Sequence, residues 1–164
     1  MKTVFSVTKR LFLISSTVLM SALVLSSCKK DKNDTNNTNM YTISGNASGS
    51  QMVPSVTGNG TATMTGTYDP NTRVLTYTTS WNGLSGAPTS GGFYSGASGT
   101  SGSLVGSSWT MGTGLGSTGT YSGTTTLTAD QASQLTAGNW YYTLGTAGHS
   151  TGEVRGQITA TQTP

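Results

Sequence analysis

The side chains able to do chemistry are few. From residue 41 to residue 164 the ionisable side chains other than tyrosine are Asp69, Arg73, Asp130, His149, Glu153 and Arg155. Nucleophilic catalysis needs a base beside the nucleophile, and glycosidic cleavage needs two positioned carboxylates. Asp69 reads as part of a turn and Asp130 as part of a helix cap, so neither is paired for such work. The many Ser and Thr hydroxyls have no base at hand, and no Gly-x-Ser-x-Gly nucleophile elbow is expected. The chain is therefore read as a non-enzyme, with no catalytic residue assigned.

A metal centre needs three or four convergent ligands. The only histidine, His149, sits in the glycine-rich stretch 147–152, read as a solvated loop between the last two strands. No metal site and no cofactor are expected. Gly114, Gly116 and Gly119 spell the Gly-x-Gly-x-x-Gly of a dinucleotide loop. That loop works only when a helix follows, because the helix N-terminus receives the pyrophosphate. Residues 120–126 read as a strand, and the motif is set aside.

Two groups of residues remain. Glu153 and Arg155 stand two apart on a strand and share a face, while Val154, Gly156 and Ile158 share the other. Gly152, Glu153, Arg155, Gly156 and Gln157 are read as a structural motif, with Gly152 and Gly156 allowing close backbone approach. Arg155, with five donors in one planar fork, is expected to fix the last strand by donating to neighbouring carbonyls or to Glu153. Trp81, Trp109 and Trp140, with the tyrosines, could form an aromatic platform for a sugar or peptide. In a domain short of Leu, Ile and Phe they are assigned to the core instead.

The elements that position these residues are strands. All 23 glycines lie beyond residue 41, among Thr, Ser, Tyr and Val, a composition that favours strands broken by turns and bulges. Alternation predicts strands over 61–68 and 73–81, joined by an Asp69-Pro70-Asn71-Thr72 turn. Further strands are predicted near 41–47, 91–96, 103–110, 118–127, 139–145 and 152–161. Thr128 to Gln131 reads as a capping box opening one short helix near 129–136, closed by Gly138. The expected fold is all-β: an antiparallel, Greek-key-like sandwich or barrel of about seven to nine strands.

The first forty residues carry an address. Lys2, Lys9 and Arg10 precede an apolar run over 11–25 that ends at Leu25-Ser26-Ser27-Cys28, the three-part pattern of a signal peptide. As a helix the run would span about 22 Å, short of the ~30 Å hydrocarbon core. Leu-Ser-Ser-Cys resembles a bacterial lipobox, which implies cleavage after residue 27 and diacylglyceryl and palmitoyl chains on Cys28. Cys28 is the one cysteine, so the fold has no disulfide. Residues 28–40 read as the lipidated cysteine and a disordered polar tether, and 41–164 as the folded domain.

The formal charge of +3 is equalled by Lys2, Lys9 and Arg10 alone, and the domain has two arginines against three carboxylates. Without a basic patch, nucleic acid is not an expected partner.

In order and content the segments resemble the CHRD domain, named from chordin and also found in microbial secreted proteins. The resemblance begins with Ser44-Gly45, Gln51-Met52-Val53-Pro54-Ser55-Val56 and Gly60-Thr61-Ala62-Thr63. It continues through Asp69-Pro70, Leu75-Thr76-Tyr77, Gly83-Leu84 and Gly96-Ala97-Ser98-Gly99 with Gly102. Its most specific stretch is Leu127-Thr128-Ala129-Asp130-Gln131, Leu135, Ala137-Gly138-Asn139-Trp140-Tyr141 and Gly152-Glu153-Val154-Arg155-Gly156-Gln157-Ile158. The chain departs from the family pattern in three places. Phe93 and Ser95 stand at a His-x-His pair, Gly145 precedes Thr146 where a His-Thr dipeptide is usual, and Met52 replaces an acidic residue before Val-Pro.

Together these features imply a membrane-anchored, extracytoplasmic CHRD-like lipoprotein of the cell envelope, at the outer membrane and facing the periplasm or the surface. Its expected role is as a non-catalytic module for an unidentified protein or glycan partner, the alternative being a carbohydrate-binding or envelope structural domain. Two or more acyl chains anchor stably where one does not. In a bacterial host, Cys28→Ala should therefore move the protein from the membrane fraction to the soluble one, and a mutant still requiring detergent for extraction would refute the anchor.

Overall fold

The computed structural model describes residues 39–164. The expected signal peptide, Cys28 and nearly all of the expected tether lie outside the described residues. Nine strands and one α-helix follow in order: β1 (Tyr41–Ser48), β2 (Thr61–Asp69), β3 (Val74–Asn82), β4 (Pro88–Ser95), β5 (Leu104–Val105), β6 (Gly119–Thr126), α1 (Ala129–Thr136), β7 (Trp140–Thr146), β8 (His149–Gln157) and β9 (Thr159–Gln162). Among the described residues no helix is long and apolar enough to cross a membrane.

The strands form one antiparallel sheet in the order β5-β4-β7-β8-β1-β2-β3-β6, with β9 also paired to β1. The sheet curls into a half-barrel. β3 and β4, distant in strand order, consequently face each other, and the rings of Tyr77 and Phe93 meet edge to face at 4.7 Å. The inner face holds Ile43, Met64, Leu75, Trp81, Trp140, Tyr142, Leu144 and Val154, all buried.

Large rings are seated on strand glycines. A methyl group at Gly123 would stand 2.5 Å from the Tyr77 hydroxyl, one at Gly119 would stand 2.7 Å from Trp81, and one at Gly91 would stand 2.5 Å from Trp109. Tyr142 fits between Gly45 and Gly156, each of which would crowd it as alanine, and donates its hydroxyl to the Gly45 carbonyl at 3.1 Å. Glycine here is a flat floor for an aromatic ring.

The β2–β3 hairpin follows from its turn. Asp69 accepts from the Asn71 N–H and the Thr72 hydroxyl, both at 2.9 Å, and Arg73 takes φ +58, so β3 starts at Val74 rather than at 73. Helix α1 has the expected capping box: Thr128 Oγ1 accepts from Gln131 N–H at 3.2 Å, and Gln131 Oε1 accepts from Thr128 N–H at 2.9 Å. Gly138, at φ +74, closes it, and the Asn139 N–H reaches the Gln134 carbonyl, as a left-handed helix cap requires.

Three expectations are corrected. The strand expected over 103–110 pairs only through Leu104 and Val105, because Gly106 (φ +72) turns the chain away. The strand expected over 152–161 is two strands. At the break Ile158 donates to the Trp140 carbonyl before β9 crosses to β1. The loop expected over 147–152 is a tight turn, with β8 beginning at His149 opposite Thr146. His149 is half-buried there.

Candidate functional site

β8 carries all five motif residues, and they do separate work. Alternation along β7 sends Trp140 and Tyr142 inward and Tyr141 and Thr143 outward. Arg155 lies opposite Thr143 and Gln157 opposite Tyr141, so the outer face of β4, β7 and β8 gathers Tyr94, Tyr141, Thr143, Arg155 and Gln157.

On that face Arg155 is only 3% exposed. Its guanidinium lies over the Tyr141 ring, 3.6 Å from the centroid. Tyr94 stacks beside Tyr141 with ring centres 5.3 Å apart. Arg155 Nη2 donates to the Ala97 carbonyl at 2.9 Å and more weakly to Gln157 Oε1 at 3.4 Å. Gln157 Nε2 donates to the carbonyls of Gly96 and Gly138 at 2.9 and 2.8 Å, and Gly102 donates its N–H to the Tyr141 hydroxyl. Together Arg155, Gln157 and Tyr141 hold the 96–102 loop against the sheet.

A second wall comes from residues 52–56, which leave β1 through a 3₁₀ turn (Gly49–Gln51) and are tied back by Val56 N–H donating to the Gly49 carbonyl. Met52 packs on Gly152, where a methyl group would stand 2.6 Å from its Cε. The two walls enclose a groove of about 310 Å³ lined by Met52, Val53, Pro54, Tyr94, Ser101, Tyr141, Thr143, Thr151 and Arg155, among others. Val53, 43% exposed, stands at its rim.

Glu153 is also buried, at 4% exposure, but is not the partner of Arg155. Its carboxylate accepts from Ser85 N–H at 2.7 Å and from the hydroxyls of Ser85 and Thr146, each at 2.6 Å. Desolvation pushes its pKa up. The hydrogen bonds from Ser85 and Thr146, with the charge of His149, outweigh that and hold it below the ordinary 4.5. The shared face read from spacing does not become an ion pair. Gly152 (φ +134) and the register shift between Leu144 and Thr146 interrupt the strand, and Ser85 and Thr146 satisfy the carboxylate.

Arg155 is the less settled of the two. Burial lowers its pKa and Tyr141 opposes the shift. A desolvated cation over a ring gains about 2 kcal/mol, but its two hydrogen-bond partners are neutral oxygens.

Other candidates fall elsewhere. Trp81, Trp109 and Trp140 are buried in the core, as expected. Among the described residues no three His, Cys, Asp or Glu side chains gather as a metal site. Phe93 is core, and Ser95 points its hydroxyl at the Ser103 carbonyl. Gly119 opens a strand, not a helix. The spelling Gly-x-Ser-x-Gly does occur, at Gly148, Ser150 and Gly152, contrary to the expectation. It runs from a hairpin turn into β8, without the strand-to-helix elbow that a nucleophile needs. Tyr141, Tyr94, Ser85 and the 52–56 wall were missed as site residues. The placement of Tyr141 between two inward-facing aromatics was the available signal.

A family model described as CHRD domain matches residues 43–158. No curated protein and no solved structure matches the chain.

Two outcomes follow from the buried charges. Arg155→Ala should lower stability by roughly 2 to 4 kcal/mol, from the lost carbonyl bond and ring stacking. Arg155→Lys should lie between, because a point charge cannot reproduce the fork. Thermal melts of the three proteins test this, and superimposable curves refute it. For Glu153 the folded pKa lies below the unfolded one, so its contribution is complete above 4.5 and lost as pH falls through the folded value. Wild type should exceed Glu153→Gln in Tm by a margin that is full at neutral pH and shrinks in acid. A margin independent of pH would show that the charge is irrelevant.

Proposed function

Since the chain belongs to the CHRD domain family, we propose that it serves outside the cytoplasm as a non-catalytic interaction module, held at the envelope by lipid on Cys28. The placement favoured is the outer membrane, with the domain carried clear of the lipid headgroups by the polar residues after the cysteine. The observation that supports an interaction role is the groove on the outer face of β4, β7 and β8. Its volume of about 310 Å³ is at the lower end of ligand pockets, enough for one or two side chains of a partner.

The groove has the parts of a binding surface. Tyr94, Tyr141 and Arg155 are the residue types that dominate interaction hot spots, and Val53 offers an apolar rim. Glu153, the buried carboxylate that accepts from Ser85 and Thr146, is not among the residues lining the groove. An exposed row of tryptophans would favour the sugar-binding alternative, and all three tryptophans are in the core. A protein partner is the favoured occupant.

The test is a photo-crosslinking side chain placed at Val53 of the lipidated protein in its own envelope, with Thr124 on β6 as the control position. A discrete adduct should form from position 53, be absent from 124, and disappear when Thr151→Trp fills the groove. Adducts only from position 124, or none from either, would remove the groove as the contact surface.

A further inference from the structure

We propose that the groove is a carboxylate-binding subsite, in which Arg155 takes the acid group of a ligand and the wall at residues 52–56 takes the apolar group attached to it. The proposal deepens the interaction reading and rests on it.

Arg155 is 97% removed from solvent, being 3% exposed, and a cation so placed calls for a counter-charge or a full set of acceptors. Each described acidic side chain is placed elsewhere: Asp69 binds Asn71 and Thr72, Asp130 is exposed in the first turn of α1, and Glu153 binds Ser85 and Thr146. The recorded acceptors of Arg155, Ala97 O and Gln157 Oε1, both take hydrogens from Nη2. Among the described residues Nε and Nη1 have no recorded acceptor. Neither is fully buried, unlike the partnerless Thr79 Oγ1, Trp109 Nε1 and Trp140 Nε1. Arg155 keeps a little exposure and lines the groove.

The guanidinium is preorganised by the Tyr141 ring and the Ala97 carbonyl, and a remaining N–H of this cation can make a charge-assisted hydrogen bond to a carboxylate oxygen. Met52, Val53, Pro54 and Val56 supply apolar surface on the facing wall. That combination fits an acid carried on an apolar group better than a bare inorganic anion.

The test uses the full lipidated protein in detergent, titrated by calorimetry with 3-methylbutanoate, its uncharged amide and inorganic phosphate. The acid should bind at least tenfold more tightly than either. Met52→Glu, which puts a carboxylate on the wall of the same groove, should weaken the acid at least tenfold. Val53→Glu at the exposed rim serves if Met52→Glu does not fold. Equal binding of acid and amide, phosphate binding as tightly as the acid, or undiminished binding by the folded variant would overturn the proposal. The peptide acetyl-Val-Glu-Val-amide separates sources: tenfold tighter binding than 3-methylbutanoate supports an acidic protein segment, and equal binding supports a free small acid. Loss of acid binding with persistence of the position-53 crosslink would sink the subsite alone. Acid binding without any crosslink would sink the interaction reading alone.

Discussion

Everything in this domain depends on seating aromatic rings against backbone. One curled sheet must exclude water from its inner face with few aliphatic side chains, and the rings that do so are too large for an ordinary pleated surface. Tyr77, Trp81, Trp109 and Tyr142 fit because the positions beneath them are glycine. Aromatic pairs packed this way gain about 0.5 to 1.5 kcal/mol beyond the area they bury. The glycine-rich composition, which alone would resemble a linker, is the complement of the aromatic set. Each strand glycine weakens its own strand by roughly 0.5 to 1 kcal/mol, and the seated ring offsets that loss.

Upon this scaffold β8 carries two buried charges that are satisfied in opposite ways. Glu153 is enclosed by three donors and its charge is held at the junction of β7, β8 and the segment after β3. Arg155 is held by a ring and two neutral oxygens, which fix its position without cancelling its charge. The first arrangement ties β7 and β8 to the segment after β3. The second ties down the 96–102 loop and sets a cation beside the groove.

The parts legible in the sequence were those set by local chemistry. The β2–β3 turn, the capping box of α1 and the inward assignment of the three tryptophans rest on neighbouring residues or on simple polarity. The parts that were not legible depend on distant contacts. Trp109 looked like strand material, yet its burial comes from stacking on Tyr121 at 5.1 Å and from one bond to Gly91, not from a ladder. The motif over 152–157 is recognisable, and of the partners expected for Arg155, several neighbouring carbonyls or Glu153, it meets one carbonyl, that of Ala97. Its separation from Glu153 was not legible, because that depends on Ser85 and on a bulge that spacing cannot reveal. The groove was invisible for a similar reason, since its walls come from residues 52–56 and 96–102, brought together only by the sheet.

The position of β1 has a further consequence. It sits mid-sheet, zipped to β2 on one side and closed on the other by β8 and β9, so that Ser48 meets Arg155 and Tyr41 meets Gln162. The two halves of the sheet are therefore joined only by pairing the first strand with the last ones. Such long-range closures make folding slow, on the millisecond to second scale for β proteins of high contact order. A ribosome can release hairpins of this domain one at a time, but none of them can finish it. The chain stays open until its final strand is available, the state in which a polypeptide can still be threaded through a narrow channel.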